Sequence, residues 1–171
     1  MKQEKTGFGC RTKHNIRLFI YGTMTLLIMA LIFFFSAQNG GDSQELSDGL
    51  LKYCKDLIDL LPVLTGKGAS NDIRKYAHIS EYFLLGVSSS LFISELFFYN
   101  INRRLRFKTF LISFLFCVLY ASSDEFHQMF VPGRAANFTD IVFDSLGAIA
   151  GIIFISLVRH YKPRTAYKEE R

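Results

Sequence analysis

The sequence predicts an all-α polytopic membrane protein, a bundle of four transmembrane helices with an amphipathic helix on its outer face. Three observations lead to this class. The 171 residues are 50% hydrophobic and include 18 Phe but no Trp, which is more apolar surface than one small soluble core can bury. The apolar residues fall into long runs, and Lys and Arg cluster between those runs. A lipid environment accounts for all of these features.

The net charge of +5 does not indicate nucleic-acid binding. The basic residues flank apolar runs and do not form one basic surface, so membrane lipid is the expected partner. The three cysteines, Cys10, Cys54 and Cys117, are odd in number and widely spaced, which predicts no disulfide framework. Cys117, in the middle of an apolar run, is expected to be a small apolar filler.

The first span is predicted over residues 18–36, after a basic N-terminal segment of residues 1–17. No charged residue occurs from Leu18 to Gly41, and about 18 apolar residues in succession can cross the hydrocarbon as a helix. A cleavable signal peptide is the alternative. The apolar run is too long for a signal core, and the residues that follow it are a poor cleavage site.

Residues 42–61 predict an amphipathic helix on the outer membrane surface. They carry too many charges to cross the bilayer, yet leucines recur at helical spacing along one side. Such a helix lies in the interface with its apolar face in the lipid. Asp42, followed three residues later by Glu45, predicts the start of this helix, and Pro62 predicts its end.

Three further spans are predicted over residues 77–99, 107–129 and 139–160, followed by a basic tail of residues 161–171. Fourteen of the 20 Lys and Arg residues would then share one membrane face: five before Leu18, four from Arg103 to Lys108, and five from Arg159 onward. The positive-inside rule assigns this face to the cytoplasm. We therefore expect a multi-pass protein of the cell membrane with both termini in the cytoplasm.

Polar residues collect at the outer ends of spans two, three and four. His78 and Glu81 lie one turn apart in span two, and Asp124 and His127 lie one turn apart in span three. In an up-and-down bundle these ends meet, which predicts one site with these four residues as its catalytic groups. Further residues of the same ends are expected to bind the substrate: Arg74, Glu125, Gln128, Arg134, Asp140 and Asp144.

Some of these residues also have a structural interpretation. The His and carboxylate pairs could be salt bridges that hold helix ends together, although charged groups within spans are costly and usually functional. Asp140, three residues after Asn137, is typical of the first turn of a helix, where the helix dipole favours a carboxylate. Asp144 lies one turn deeper in the apolar run, so we expect it to pair with Arg74 or Arg134.

Other polar and small residues are expected to serve packing. Gly147 and Gly151 form a Gly-x-x-x-Gly pattern that lets another helix approach closely. Glu95, near the inner end of span two, is expected either to extend its carboxylate to the membrane surface or to pair with Arg103 or Arg104. The histidines of the cytoplasmic flanks, His14 and His160, are expected to take no part in the site, and substitutions there are expected to be silent.

Four motifs give the chain a resemblance to a known family. They are Ser36-x-Gln38, Arg74-Lys75-x-Ala77-His78-x-x-Glu81-Tyr82, Asp124-Glu125-x-His127-Gln128-x-Phe130-Val131-Pro132-Gly133-Arg134, and Asp140-x-x-x-Asp144-x-x-Gly147. With these motifs the chain resembles the VanZ-like family, named for teicoplanin-resistance proteins, over about residues 18–160. The resemblance implies a membrane protein that reduces sensitivity to a lipid-bearing glycopeptide antibiotic acting on cell-wall precursors. It implies no particular reaction.

Two functions fit these residues. The first is an enzyme of the cell envelope that hydrolyses or transfers a group on a lipid-linked substrate, with His and carboxylate groups as acid and base. A divalent metal held by the same groups is a version of this hypothesis. The second is a non-catalytic module that binds or shields a cell-wall precursor, a lipoglycopeptide or a partner protein. A transporter is less favoured, because Glu95 is the one ionisable candidate in the inner halves of the spans.

Overall fold

The computed structural model of the chain describes residues 4–38, 69–98, 105–134 and 137–161, with side chains for 12–38, 75–97, 107–134 and 137–159. The described residues form four α-helices: α1 (Glu4–Ser36), α2 (Ala69–Phe98), α3 (Leu105–Gln128) and α4 (Phe138–Tyr161). The all-α class is thus confirmed for this part of the chain. The predicted amphipathic helix over residues 42–61 lies outside the described residues.

Three of the four helices are long and apolar enough to cross a membrane. The apolar segments are Thr12–Ser36, Phe107–Gln128 and Phe138–Arg159. They correspond to three of the predicted spans, so the chain is a multi-pass membrane protein. The helix α2 has 30 residues, enough length to cross, but it is too polar to meet the same criterion. The fourth span, over residues 77–99, and the orientation of the termini stay predictions.

The polarity of α2 follows from its central position. It packs against each of the other three helices and buries Leu85, Ser88 and Ser89. Both serine hydroxyls donate hydrogen bonds to carbonyl groups one turn earlier in the same helix, so they cost little inside the bundle. The surrounding helices expose apolar side chains instead, and Phe19 and Phe138 are each 76% exposed. These phenylalanines form a surface suited to lipid.

The helices α2 and α4 run parallel and make close contact at glycines. A Cβ atom on Gly147 would lie 2.4 Å from the carbonyl oxygen of Ile79, and one on Gly151 would lie 2.1 Å from that of Phe83. No side chain fits at such distances. The packing role predicted for the two glycines is therefore confirmed, and the close approach fixes the outer end of α2 beside that of α4.

At the opposite end of the bundle, a buried carboxylate joins three helices. Glu95 of α2 lies 3.3 Å from Nδ1 of His14 and 3.6 Å from guanidinium nitrogens of Arg17 and Arg159. Its side chain is fully buried, so the surrounding basic groups compensate its charge. The partners expected from the sequence, Arg103–Arg104, lie outside the described residues. His14 contacts this carboxylate at the end of the bundle opposite the predicted site, and the expectation that its substitution is silent stays a prediction.

Candidate functional site

Three carboxylates from three helices lie together at the end of the bundle opposite Glu95. Glu81 belongs to α2, Asp124 to α3 and Asp144 to α4, and their charges are close enough to interact. Asp124 and Asp144 are only 3% and 4% exposed. The packing of α2 against α4 brings Glu81 and Asp144 close enough for their charges to interact. The structure therefore brings together polar residues that the sequence places on separate spans.

His78 and Glu81 form an ion-pair contact on one side of α2. The Nδ1 atom of His78 lies 3.7 Å from Oε2 of Glu81, and each side chain is about one-fifth exposed. The distance is too long for a hydrogen bond, but the two groups are neighbours on successive turns of the helix. An imidazole beside a carboxylate can exchange a proton with a bound molecule, so this pair is suited to acid-base chemistry.

A chain of hydrogen bonds orients Asp124. The Nε2 atom of Gln128 donates to Oδ2 of Asp124 at 3.0 Å, and a guanidinium N–H of Arg134 donates to Oε1 of Gln128 at 3.1 Å. Gln128 is itself buried. One oxygen of Asp124 is thus held in place, while the other, Oδ1, is buried and has no hydrogen-bond partner.

The loop after α3 forms a tight turn and directs Arg134 toward α1. Gly133 adopts a φ of 77°, a conformation that favours glycine, and Arg134 N donates to the carbonyl of Val131 at 3.2 Å. The Arg134 guanidinium also donates to the carbonyls of Phe35 and Gln38, both at 3.0 Å. It therefore caps the end of α1. These contacts position neighbouring elements, and direct substrate binding by Arg134 stays a prediction.

The start of α4 is fixed by Asn137 and Glu125. The Asn137 side chain accepts a hydrogen bond from the backbone N–H of Thr139 at 3.2 Å, which is the geometry of a helix N-cap. The backbone N–H of Asn137 donates to the carboxylate of Glu125, which is buried at the end of α3. Asp140 lies in the first turn of α4, where the helix dipole favours a carboxylate. These contacts agree with the structural interpretation of Asp140.

His127 lies against α1. Its ring stacks on Phe33, with ring centroids 4.5 Å apart and an interplanar angle of 29°. The Nε2 atom is buried and has no hydrogen-bond partner. Among the described residues, His78 forms an ion pair with a carboxylate at this end of the bundle, and His127 does not. The two His and carboxylate pairs expected from the sequence are therefore not equivalent.

Tyr82 also belongs to the site, although the sequence alone predicts no role for it, and Tyr120 lies beside it in a structural contact. Tyr82 is fully buried, and its hydroxyl has no hydrogen-bond partner although the charges of Asp124 and Asp144 lie within interacting distance. The hydroxyl of Tyr120 instead donates to the carbonyl of Met29 at 2.6 Å. The sequence does contain one indication of a role for Tyr82, because this tyrosine directly follows the candidate catalytic residue Glu81.

The site contains several buried polar atoms without hydrogen-bond partners. They are Glu81 Oε2, Tyr82 OH, Asp124 Oδ1, His127 Nε2 and Asp144 Oδ1. The expected pairing of Asp144 with Arg134 is not found, because the Arg134 guanidinium is directed to α1 and Gln128; the side chain of Arg74 lies outside the described residues. Leaving such atoms unsatisfied is costly, so a bound polar molecule would stabilise this end of the bundle.

The same atoms do not converge as metal ligands do. Among the described residues, no three His, Cys, Asp or Glu side chains form a group that could hold a metal ion. Metal ligands must approach one point to within about 2.0–2.6 Å.

Comparison with known proteins identifies the family of the chain. Neither the curated proteins nor the solved structures contain a significant match. The model of the family described as VanZ/LLP1 matches residues 21–159. This range includes all of α2 and α3 and every residue of the site. Because this match covers most of the chain, the protein belongs to the VanZ/LLP1 family.

Proposed function

We propose that the chain acts on the polar head of a lipid-linked molecule at the extracytoplasmic face of the cell membrane. The observation that carries this proposal is the set of buried carboxylate, phenol and imidazole atoms that lack hydrogen-bond partners. Groups of this kind are rare in membrane helices and usually have a function. Their place at one end of a bundle of apolar helices suits a substrate whose acyl or prenyl chain stays in the lipid.

The proposed chemistry is general acid-base catalysis of hydrolysis or group transfer. Glu81, with His78 beside it at 3.7 Å, would accept a proton from the attacking hydroxyl or water and then donate that proton to the leaving group as its bond to the substrate breaks. Asp124 would contact the substrate through its unpaired Oδ1, while Gln128 holds its other oxygen. Asp144 would bind the substrate head from α4. These roles need no group beyond the side chains of the site.

The proposed biological role is a change in the cell envelope that reduces the action of teicoplanin-type glycopeptides. The resemblance to teicoplanin-resistance proteins supports this role, as does membership of the VanZ/LLP1 family. Such antibiotics act outside the membrane, at the face where the positive-inside rule would put the site. The substrate would then be a cell-wall precursor or another envelope lipid.

A non-catalytic binding module is the second candidate, and the position of His127 favours it. The stacking of His127 on Phe33 leaves one described ion pair of His and carboxylate at the site, so a second proton donor is not in place beside Asp124. A module that only binds an antibiotic or a precursor would need the same polar atoms but no proton transfer.

Carboxylate-to-amide variants test the proposal. Glu81→Gln and Asp124→Asn keep the size of the side chain but remove its basicity. Removing one charge-assisted hydrogen bond to a ligand weakens affinity by roughly tenfold to a hundredfold. Strong overexpression can offset such a change, whereas the absence of a general base cannot be offset so easily. We expect at least one variant to stay inactive at high expression, as measured by glycopeptide susceptibility and by mass spectrometry of envelope lipids.

The matched control is Glu95→Gln, the same change at the other end of the bundle. It removes the ion pairs with His14, Arg17 and Arg159, so we expect less protein in the membrane but unchanged activity for each molecule that accumulates. Full rescue of both site variants by overexpression would reject the enzyme proposal and leave the binding module.

A further inference from the structure

The unpaired acceptor atoms of the site indicate which chemical class of ligand it binds. This inference rests on the proposed function. Glu81, Asp124 and Asp144 each present a buried carboxylate oxygen without a hydrogen-bond donor. The hydroxyl of Tyr82 provides a second, independent observation. It is fully buried, has no partner, and lies within interacting distance of the charges of Asp124 and Asp144.

A phosphate is poorly suited to contact these atoms directly, because it offers oxygen acceptors where the site already has unpaired carboxylate oxygens. His78 and Arg134 are basic groups near Glu81, but neither donates a hydrogen bond to Asp124 Oδ1 or Asp144 Oδ1. A hydroxyl group could donate hydrogen bonds, but it carries no charge to pair with a carboxylate. A ligand with both hydrogen-bond donors and a positive charge suits these atoms better.

The spacing of the carboxylates distinguishes between cations. A single metal ion needs ligands that converge, and no such group of three exists among the described residues. A primary ammonium carries one positive charge and three N–H donors on a larger headgroup. Its donors can meet carboxylate oxygens on different helices while the rest of the headgroup contacts Tyr82.

We propose that this site binds a primary ammonium group carried by a molecule at the membrane surface. The Asp124 and Asp144 carboxylates accept its hydrogen bonds from α3 and α4, and Glu81 accepts from α2. The amine belongs either to the headgroup of a phospholipid or to an amino sugar or amino acid of an envelope precursor. In both cases the recognised chemistry is the same.

The test uses the full chain in lipid nanodiscs of phosphatidylglycerol. Phosphatidylethanolamine, which carries a primary ammonium, competes there with phosphatidylcholine of the same acyl chains, whose quaternary ammonium has no N–H. Native mass spectrometry counts the lipids that stay bound. We expect a preference of about tenfold or more for phosphatidylethanolamine, the equivalent of one charge-assisted hydrogen bond. Equal retention of the two lipids, with no effect of soluble amines, would overturn the proposal.

Soluble ethanolamine and glucosamine distinguish the two sources of the amine. If either raises the unfolding temperature in pure phosphatidylglycerol nanodiscs, and glycerol does not, the amine is recognised without a lipid chain. A response confined to phosphatidylethanolamine assigns the site to the lipid headgroup. Either result supports the ammonium site.

Two variants and a control complete the test. Asp144→Asn removes a charge, and Tyr82→Phe removes a hydroxyl that makes no hydrogen bond in the folded chain; both should reduce the preference toward equality. Tyr120→Phe, which removes the hydrogen bond to Met29, should keep it. An unchanged preference in both Asp144→Asn and Tyr82→Phe would contradict the proposal.

The two proposals fail in different ways. No amine preference together with an inactive Glu81→Gln would reject the ammonium ligand and keep the acid-base reaction. A clear amine preference together with a fully active Glu81→Gln would reject the reaction and keep the ammonium site.

Discussion

Tyr82 and Tyr120 are neighbours in the bundle, and they differ in what their hydroxyl groups do. Their ring centroids lie 6.3 Å apart. Tyr120 donates to the carbonyl of Met29 and so joins α3 to α1, whereas the Tyr82 hydroxyl is buried without a partner. The first arrangement is typical of a structural contact and the second of a group that binds a ligand.

The same substitution at the two tyrosines should therefore have opposite effects. Tyr82→Phe should leave the free energy of unfolding unchanged or slightly higher, because no hydrogen bond is removed, but it should reduce activity. Tyr120→Phe should lower stability by about 0.5–1.5 kcal/mol and keep the activity of each folded molecule. Denaturant unfolding in detergent and an activity assay on the same preparations measure both quantities. A large drop in stability in Tyr82→Phe alone would show that its role is structural.

At the residue scale, the sequence predicts which residue types meet but not the direction of each side chain. His127 and Arg134 illustrate the limit. Both were placed in the site by motif and helical spacing, yet His127 stacks on Phe33 and Arg134 caps α1 through the carbonyls of Phe35 and Gln38. Helical spacing describes one helix at a time, and these contacts depend on how α1 packs beside α3.

Among the elements, α2 holds the site together, and it is the one described helix that is not among the three candidate membrane spans. It carries His78, Glu81 and Tyr82, and its buried serines satisfy their own hydroxyls. The sequence predicts this helix and the close approach at Gly151, because small residues at this spacing have a known packing role. It does not predict that α2 is central, since a hydropathy pattern reports apolar surface and a buried polar helix shows little of it.

Enlarging Gly151 should separate α2 from α4. A Cβ atom there would lie 2.1 Å from the carbonyl oxygen of Phe83, which is backbone and cannot turn away. We expect Gly151→Ala to lower stability by about 1–3 kcal/mol and to reduce activity, because the shift moves Glu81 away from Asp144. Gly22→Ala is the control. Its Cβ would meet the ring of Phe92 at 3.1 Å, and a side chain can move aside.

Thermal unfolding of both glycine variants in nanodiscs measures the difference. A smaller destabilisation in Gly151→Ala than in Gly22→Ala would contradict the close contact of α2 with α4. Equal activity of the two variants would show that the separation of these helices does not matter to the site.

The whole molecule has two polar ends that differ in how fully their charges are compensated. Along α2, Glu81 and Glu95 are separated by roughly 21 Å, at 1.5 Å per residue. The Glu95 end has a buried carboxylate surrounded by three basic side chains, whereas the Glu81 end has buried acceptors without donors. The first end stabilises the bundle by itself, and in our proposal a bound molecule completes the second. The orientation of the chain therefore decides which leaflet supplies the ligand.

Cysteine labelling determines this orientation. Cys117 is buried in the bundle, so a thiol reagent should react with Cys10 and Cys54 alone in the folded protein, and Cys10→Ser and Cys54→Ser variants separate the two signals. The positive-inside rule predicts that Cys54 reacts with a membrane-impermeant maleimide on intact cells and that Cys10 reacts only after permeabilisation. The predicted topology puts Cys54, which precedes α2 in the sequence, on the same side of the membrane as Glu81, so its labelling would also report the side of the site. The reverse pattern would place the unpaired carboxylates at the cytoplasmic leaflet, where a glycopeptide has no access. The antibiotic role would then be rejected, while the ammonium site would remain and would take its ligand from the inner leaflet.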